Sequence, residues 1–109
     1  MKVSTHIKDR YVILKFENDK ITGYEAQEFQ ESLLNSLEKN FKFIIVDLSA
    51  VTFISSWGIG MLIHGFTTTK NRGGEFKVAC PADTVLSVFE KVKIDKVLNI
   101  YNSLDQAMS

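Results

Sequence analysis

The most constraining stretch of the sequence is an uninterrupted apolar run that is followed, after a short connection, by a helical pattern. The run from Phe43 to Val46 shows no alternation of apolar and polar residues, which is typical of a strand covered on both faces. Further along, helical spacing links four apolar residues: Ile59, Leu62, Ile63 and Phe66. The sequence therefore predicts a buried central strand and then a helix that begins near residue 56.

Two adjacent serines, Ser55 and Ser56, stand at the predicted start of this helix. Serine is among the preferred N-cap residues, and such a cap contributes about 1 kcal/mol of stability. One cap needs only one serine, so the pair leaves a second hydroxyl for another purpose. Backbone N–H groups and the helix dipole at this point favour a negatively charged group. The pair has a structural interpretation as a cap and a functional one as a site that carries an anion.

The segment VDLSAVTFISSWGIG, residues 46–60, resembles the signature of STAS domains, in particular those of bacterial anti-sigma factor antagonists. In these proteins the serine directly after the aspartate of the motif is phosphorylated, and Ser56 holds that place. Two positions depart from the pattern, because Ser55 stands where aspartate is usual and Trp57 where a small serine or threonine is usual. Another acidic position of the family, after the second strand, corresponds to Thr22. Both carboxylates usual near the phosphorylated serine are therefore missing.

The resemblance implies a regulatory binding protein. Its unmodified form would bind an anti-sigma factor that is also a serine kinase, phosphorylation of Ser56 would end the binding, and a phosphatase would reset it. Together with the exposed face of the second helix, the expected partner-binding residues are Thr22, Gly23, Tyr24, Ser55, Ser56 and Trp57. The alternative is a divergent STAS domain that binds its partner without phosphorylation, or that binds a small ligand beside Ser56.

The rest of the chain alternates strand and helix patterns. A hairpin is predicted up to Phe16. A first helix is predicted over residues 24–40, with Thr22 and Glu25 as a capping box and with Glu25 on its outer surface.

A strand is predicted over Glu75–Cys80, and Pro81 suits the first position of a third helix, whose inner face includes Val92. A short strand is predicted over Val97–Tyr101. The order predicts an α/β fold, with a mixed sheet of four to five strands and about four helices, as in STAS domains. We expect a single domain over residues 1–109.

Composition excludes several classes of function. The 13 basic and 13 acidic residues are interspersed along the chain, so a nucleic acid partner is not expected. The single cysteine, Cys80, rules out an internal disulfide and suits a reducing compartment. No apolar stretch approaches the length of a membrane span. A cytoplasmic protein without a membrane partner is therefore expected, whereas the sequence does not predict an oligomeric state.

No enzyme is predicted. The glycines at Gly58 and Gly60 are not followed by the lysine of a phosphate-binding loop, and they indicate instead close packing of a helix on the sheet. A set of Ser56, His64 and Asp47 can be written, but the serine lacks the glycine-flanked elbow of hydrolases. Neither a metal site nor a cofactor is expected.

Overall fold

The computed structural model describes residues 3–109. In chain order the elements are β1 (Val3–Lys8), β2 (Tyr11–Phe16), β3 (Lys20–Ile21), α1 (Ala26–Glu38), β4 (Phe43–Asp47), β5 (Phe53–Ile54), α2 (Ser56–Asn71), β6 (Glu75–Ala79), α3 (Asp83–Lys91), β7 (Ile100–Tyr101) and α4 (Leu104–Met108). Four helices and a mixed sheet thus form an α/β fold, which confirms the predicted fold class.

The main sheet has five strands in the order β1-β2-β4-β6-β7. β1 pairs antiparallel with β2 as a hairpin, whereas β2, β4, β6 and β7 are parallel. The middle strand is β4, whose Ile44, Ile45 and Val46 are all buried because other elements cover both faces of the sheet. The apolar run therefore forms the central strand that its lack of alternation predicts.

The two faces of the sheet are covered unequally. On one face α1, α2 and α3 pack over the main core, which includes Phe29 and Leu62. On the other face a smaller cluster around Ile45 is covered by α4 through Ala107. The Lys77 ammonium donates a hydrogen bond of 2.7 Å to the Ala107 carbonyl, and this bond ties α4 to the sheet.

A second, two-stranded parallel sheet joins β3 to β5 at the carboxyl end of the main sheet. The Asp19 carbonyl accepts a hydrogen bond of 2.7 Å from Thr52 N–H, and the Ile21 carbonyl accepts one of 2.9 Å from Ser55 N–H. These bonds hold together the connection before α1 and the connection before α2. Two chain segments that are more than thirty residues apart are thereby fixed side by side.

Some predicted boundaries in the first half of the chain are wrong. α1 is shorter than predicted, and Asn40, with φ at 69°, lies beyond it in the left-handed region. Glu25 was expected on the outer surface, yet it is only 2% exposed. Its carboxylate accepts hydrogen bonds of 3.1 Å from the N–H groups of both Thr22 and Gly23. The glutamate half of the predicted capping box is therefore present, although Glu25 itself is the N-cap residue.

In the second half of the chain, the structure differs from the predicted elements at four points. Ala82 is the N-cap of α3, so Pro81 precedes the helix rather than occupying its first position. Val92 was assigned to the inner face of α3 but lies beyond the helix and is 49% exposed. β7 is shorter than the predicted Val97–Tyr101. Cys80 has φ at 62°, which takes it out of β6 and leaves it half-buried.

Across residues 3–109, no helix has both the length and the apolar character needed to cross a bilayer.

Candidate functional site

The two serines at the start of α2 have different roles. Ser55 is the N-cap: its Oγ accepts a hydrogen bond of 3.1 Å from the Gly58 N–H and donates one of 3.0 Å to the Thr22 carbonyl. The Ser55 hydroxyl is thus committed both to the helix and to the connection before α1. The aspartate of the family pattern would also be able to accept the bond from Gly58, so serine replaces it without loss of the cap.

Ser56 is the first residue of α2 and is exposed. Because Ser55 already caps the helix, the Ser56 hydroxyl is not needed for that purpose. It lies at the positive end of the helix dipole, at a point where an enzyme can reach it. The position is therefore accessible and tolerates a negative charge.

Two exposed aromatic side chains stand next to Ser56. Trp57 is 80% exposed and Tyr24 is 87% exposed. Together with Thr22 and Gly23 they line a cleft of about 350 Å³. The fold thus brings the two predicted groups of partner-binding residues, 22–24 and 55–57, to one surface.

Gly23 is the residue that lets these two groups meet. Its φ is 116°, a conformation that side chains with a Cβ rarely adopt. A Cβ built on Gly23 would lie only 3.0 Å from the Cβ of Trp57. A larger residue at position 23 would push Trp57 away from the surface described above.

A second cleft, of about 410 Å³, lies on the other side of Trp57 between α1 and α2. The described residues that line the two clefts include no aspartate, glutamate, lysine or arginine: they are Thr22, Gly23, Tyr24, Ala26, Gln27, Gln30, Trp57, Met61 and His64. In addition, α2 itself contains no aspartate, glutamate, lysine or arginine from Ser56 to Thr69. The exposed side of this helix is therefore unusually poor in charge for a protein surface.

The two glycines of the Gly58-Ile59-Gly60 segment serve different purposes. A Cβ on Gly58 would lie 2.8 Å from the Ile21 side chain and 2.9 Å from that of Ile54, so close packing requires glycine here, as predicted. The same prediction is wrong for Gly60, where a Cβ would meet none of the described atoms within 4 Å. A glycine inside an exposed helix costs about 0.5–1 kcal/mol relative to alanine. Packing within residues 3–109 therefore does not require glycine at this position.

The hydrolase arrangement considered for Ser56, His64 and Asp47 is not formed. His64 follows Ser56 by eight residues on the same helix, which is about 12 Å along the helix axis. Asp47 is buried, and its carboxylate accepts a hydrogen bond of 2.9 Å from the Ser49 N–H. Burial, with a further contribution from the Asp47 charge, raises the pKa of the Cys80 thiol, so Cys80 is not an activated nucleophile. Among residues 3–109, no three histidine, cysteine or acidic side chains are grouped as a metal site needs.

The mixed sheet, with an exposed serine where α2 begins, is the architecture of a STAS domain. The model of the STAS domain family matches residues 2–107, and the chain belongs to this family. It is 26% identical over 104 residues to the anti-sigma-B factor antagonist of Listeria monocytogenes, a match that covers 94% of this chain and 91% of that protein.

Solved structures give the same result for the fold. The crystal structure of a candidate anti-sigma factor antagonist from Thermotoga maritima matches with a TM-score of 0.85 and 26% identity, covering 97% of this chain and 91% of that one. The phosphorylated form of the Bacillus cell fate determinant SpoIIAA matches with a TM-score of 0.73 over 97% of this chain and 96% of SpoIIAA. At 13% identity, the second match shows a common fold alone.

Proposed function

We propose that this protein is a cytoplasmic anti-sigma factor antagonist, and that it binds an anti-sigma factor through the exposed start of α2. Phosphorylation of Ser56 by that partner ends the binding, and a phosphatase restores it. The observation that carries the proposal is an exposed serine, which the helix cap does not use, beside an uncharged aromatic surface. The relationship to the Listeria monocytogenes anti-sigma-B factor antagonist supports it.

The composition of this surface suits protein binding rather than catalysis. The centres of protein interfaces are depleted in charge and enriched in aromatic residues, and tryptophan is prominent among their hot spots. Trp57 and Tyr24 provide such anchors, and the clefts on either side of Trp57 offer room for partner side chains. The open space over Gly60 permits a partner to approach the backbone of α2 closely. A contact at that point accounts for a glycine that the isolated chain does not need.

A phosphate on Ser56 would act differently on the free protein and on the complex. It adds a charge of about −1.5 to −2, which the N-terminal dipole of α2 tolerates in the monomer. Against a docked partner the same group would be stripped of water in an uncharged contact, and an unpaired buried charge is costly. The modification can therefore abolish binding without unfolding the domain. Because the carboxylates usual for the family are replaced at Ser55 and Thr22, the kinase has to recognise this serine through other contacts.

A second candidate function rests on the cleft lined by Tyr24 and Trp57. Its volume of about 350 Å³ falls within the range of about 300–1,000 Å³ that is typical of small-molecule sites. A divergent STAS domain could bind a small ligand there, or bind its partner without any phosphorylation. In either case a charge at Ser56 is not the switch.

The experiment uses the anti-sigma factor serine kinases of the source genome, each purified and titrated calorimetrically against the chain. We expect one of them to bind the wild type and, with ATP, to add one phosphate that Ser56→Ala does not acquire, as read by intact mass. Ser56→Asp should bind at least about tenfold more weakly, because it carries part of the charge of the phosphate.

Ser87→Asp is the matched control, since it makes the same exchange at an exposed position of α3, outside the expected binding surface. It should bind as the wild type does. Binding by Ser56→Asp at wild-type strength would refute the switch and favour the unphosphorylated module. Phosphate on the Ser56→Ala variant would assign the modification to another residue.

A further inference from the structure

A surface rich in basic residues lies at the end of the molecule opposite Ser56. We call it the basic end: it comprises residues 8–10, 38–42, 70–75 and 90–97, where the parallel strands begin and α1, α2 and α3 finish. Because each of these helices runs antiparallel to the strands, their C-terminal ends meet at the same edge of the sheet. Residues that are far apart in sequence are therefore collected there.

Contacts join the parts of this surface from one side of the sheet to the other. The Arg10 guanidinium lies 4.8 Å from the ring centre of Phe43. The Lys42 carbonyl accepts a hydrogen bond of 2.7 Å from the Glu75 N–H. The Asn99 side-chain amide donates one of 3.3 Å to the Phe76 carbonyl and fixes the connection after α3 beside β6. The hairpin, the starts of β4 and β6 and the segment before β7 are thus neighbours.

The basic side chains of this end are all exposed. The hairpin contributes Lys8 and Arg10, and the segment before β4 contributes Lys39 and Lys42. The end of α2 adds Lys70 and Arg72, and the segment from α3 towards β7 adds Lys91, Lys93 and Lys96. Fewer acidic side chains lie among them: Asp9, Glu38, Glu75, Glu90 and Asp95.

Helix stability alone does not account for this surface. A cation in the last turn of a helix is stabilised by the helix dipole, and Lys70 and Lys91 are placed in that way. The dipole effect fades within one turn, however, and Lys8, Lys42 and Lys96 lie on a strand end or in connections. Since the whole chain has a net charge of zero, the positive excess here requires a negative excess elsewhere. The charges look interspersed in sequence, but the fold separates them.

Two exposed apolar side chains interrupt the lysines of the segment after α3. Val92 is 49% exposed and Val97 is 45% exposed. Lysines that alternate with exposed apolar residues are typical of segments that lie in the interface of an anionic bilayer, where apolar groups enter the headgroup region. Nucleic acid phosphates offer no apolar contact to such valines. The basic residues also span five strands, about 20 Å at about 4.8 Å per strand, and so match an extended flat surface.

We propose that the basic end binds reversibly to the surface of an anionic bilayer, with Val92 and Val97 in the headgroup region. The opposite end, which carries Ser56, is then directed away from the bilayer. This adds a peripheral membrane contact to a chain for which the sequence predicted no membrane partner. The contact is electrostatic, so each lysine contributes about a fivefold change in partitioning, and raised salt weakens it. The proposal does not depend on the proposed function, because the two surfaces lie at opposite ends.

The test is sedimentation of the full chain with vesicles. We expect binding to equal parts of phosphatidylglycerol and phosphatidylcholine at low salt, no binding to phosphatidylcholine alone, and release when salt is added. The double variant Lys93→Gln/Lys96→Gln should partition about 25-fold more weakly, since two charges are lost. Lys20→Gln, an exposed lysine at the opposite end, is the matched control and should partition as the wild type does.

A second pair of variants separates bilayer entry from charge alone. Val92→Ser/Val97→Ser keeps every lysine and should still reduce binding several-fold, because the lost apolar groups no longer enter the headgroup region. Thermal unfolding of each variant, matched to that of the wild type, shows that binding rather than folding has changed. Equal loss of binding in Lys20→Gln, or tighter binding to duplex DNA or polyglutamate than to the anionic vesicles, would overturn the proposal.

Discussion

The buried side and the exposed side of α2 use the same residue for opposite reasons. On the buried side, a Cβ on Gly65 would lie 2.8 Å from the ring of Phe29 and 3.2 Å from that of Phe76, so the core itself requires glycine. On the exposed side, Gly60 has open space around it. The fold explains the first glycine completely and the second not at all. Packing within the isolated chain therefore explains the glycine on the buried side of α2, but it does not explain the one on the exposed side.

The largest expected effect is on the buried side. Gly65→Ala should lower the free energy of unfolding by about 2 kcal/mol, because the added methyl group overpacks two buried aromatic rings. Urea unfolding measures this loss. A variant as stable as the wild type would show that the ring of Phe29 can turn aside, and the contrast between the two sides of α2 would be weaker than the distances indicate.

The next effect concerns the cap. Ser55→Ala should cost about 1–2 kcal/mol, because it removes the acceptor for Gly58 N–H and the donor to the Thr22 carbonyl. Ser55→Asp is the matched variant: it keeps the acceptor but loses the donor, so it should recover about half of that loss. Chemical denaturation of the two variants separates these contributions. If aspartate restored nothing, the bond to Thr22 rather than the cap would be the stabilising contact.

A smaller effect of opposite sign is expected at Gly60. Gly60→Ala should raise the free energy of unfolding by about 0.5–1 kcal/mol, since alanine is the better helix former and the site is open. Under the proposed function it should also weaken binding of the anti-sigma factor, because the methyl group stands where the partner approaches. Denaturation and calorimetry on one preparation test both parts. A loss of stability instead would place Gly60 with the buried glycines.

The smallest effect on stability is expected at Ser56. Ser56→Ala should change the free energy of unfolding by less than about 0.5 kcal/mol, because the residue is exposed and Ser55 supplies the cap. The same denaturation measurement, set beside that of Ser55→Ala, provides the comparison. Equal losses in the two alanine variants would mean that both hydroxyls support the helix.

Much of the fold could be predicted because the patterns that determine it are local. An apolar run without alternation favours a strand that is covered on both faces, and β4 is such a strand in the middle of the sheet. The paired serines and the apolar spacing after them placed the start of α2 at Ser56, where the structure has it. The carboxyl ends of the strands then bring residues 22–24 to the same surface as residues 55–57.

What could not be predicted depends on contacts between distant segments. Glu25 resembles an outward-facing acid in sequence, but it is buried because its carboxylate binds two backbone N–H groups of the preceding turn. Pro81 is a good first residue for a helix, yet α3 begins at Asp83. The open space at Gly60 becomes evident only when the helices and strands are assembled. The same is true of the separation of charge between the basic end and the end that carries Ser56.

The small sheet of β3 and β5 has a consequence for recognition. Its hydrogen bonds, with those of Ser55 and Thr52, already join the connection that carries Tyr24 to the connection that leads into α2 and Trp57. The binding surface is thus preorganised during folding, and a partner has little backbone entropy left to remove. We therefore expect these connections to resist amide hydrogen exchange in the free protein as strongly as the helices beside them do.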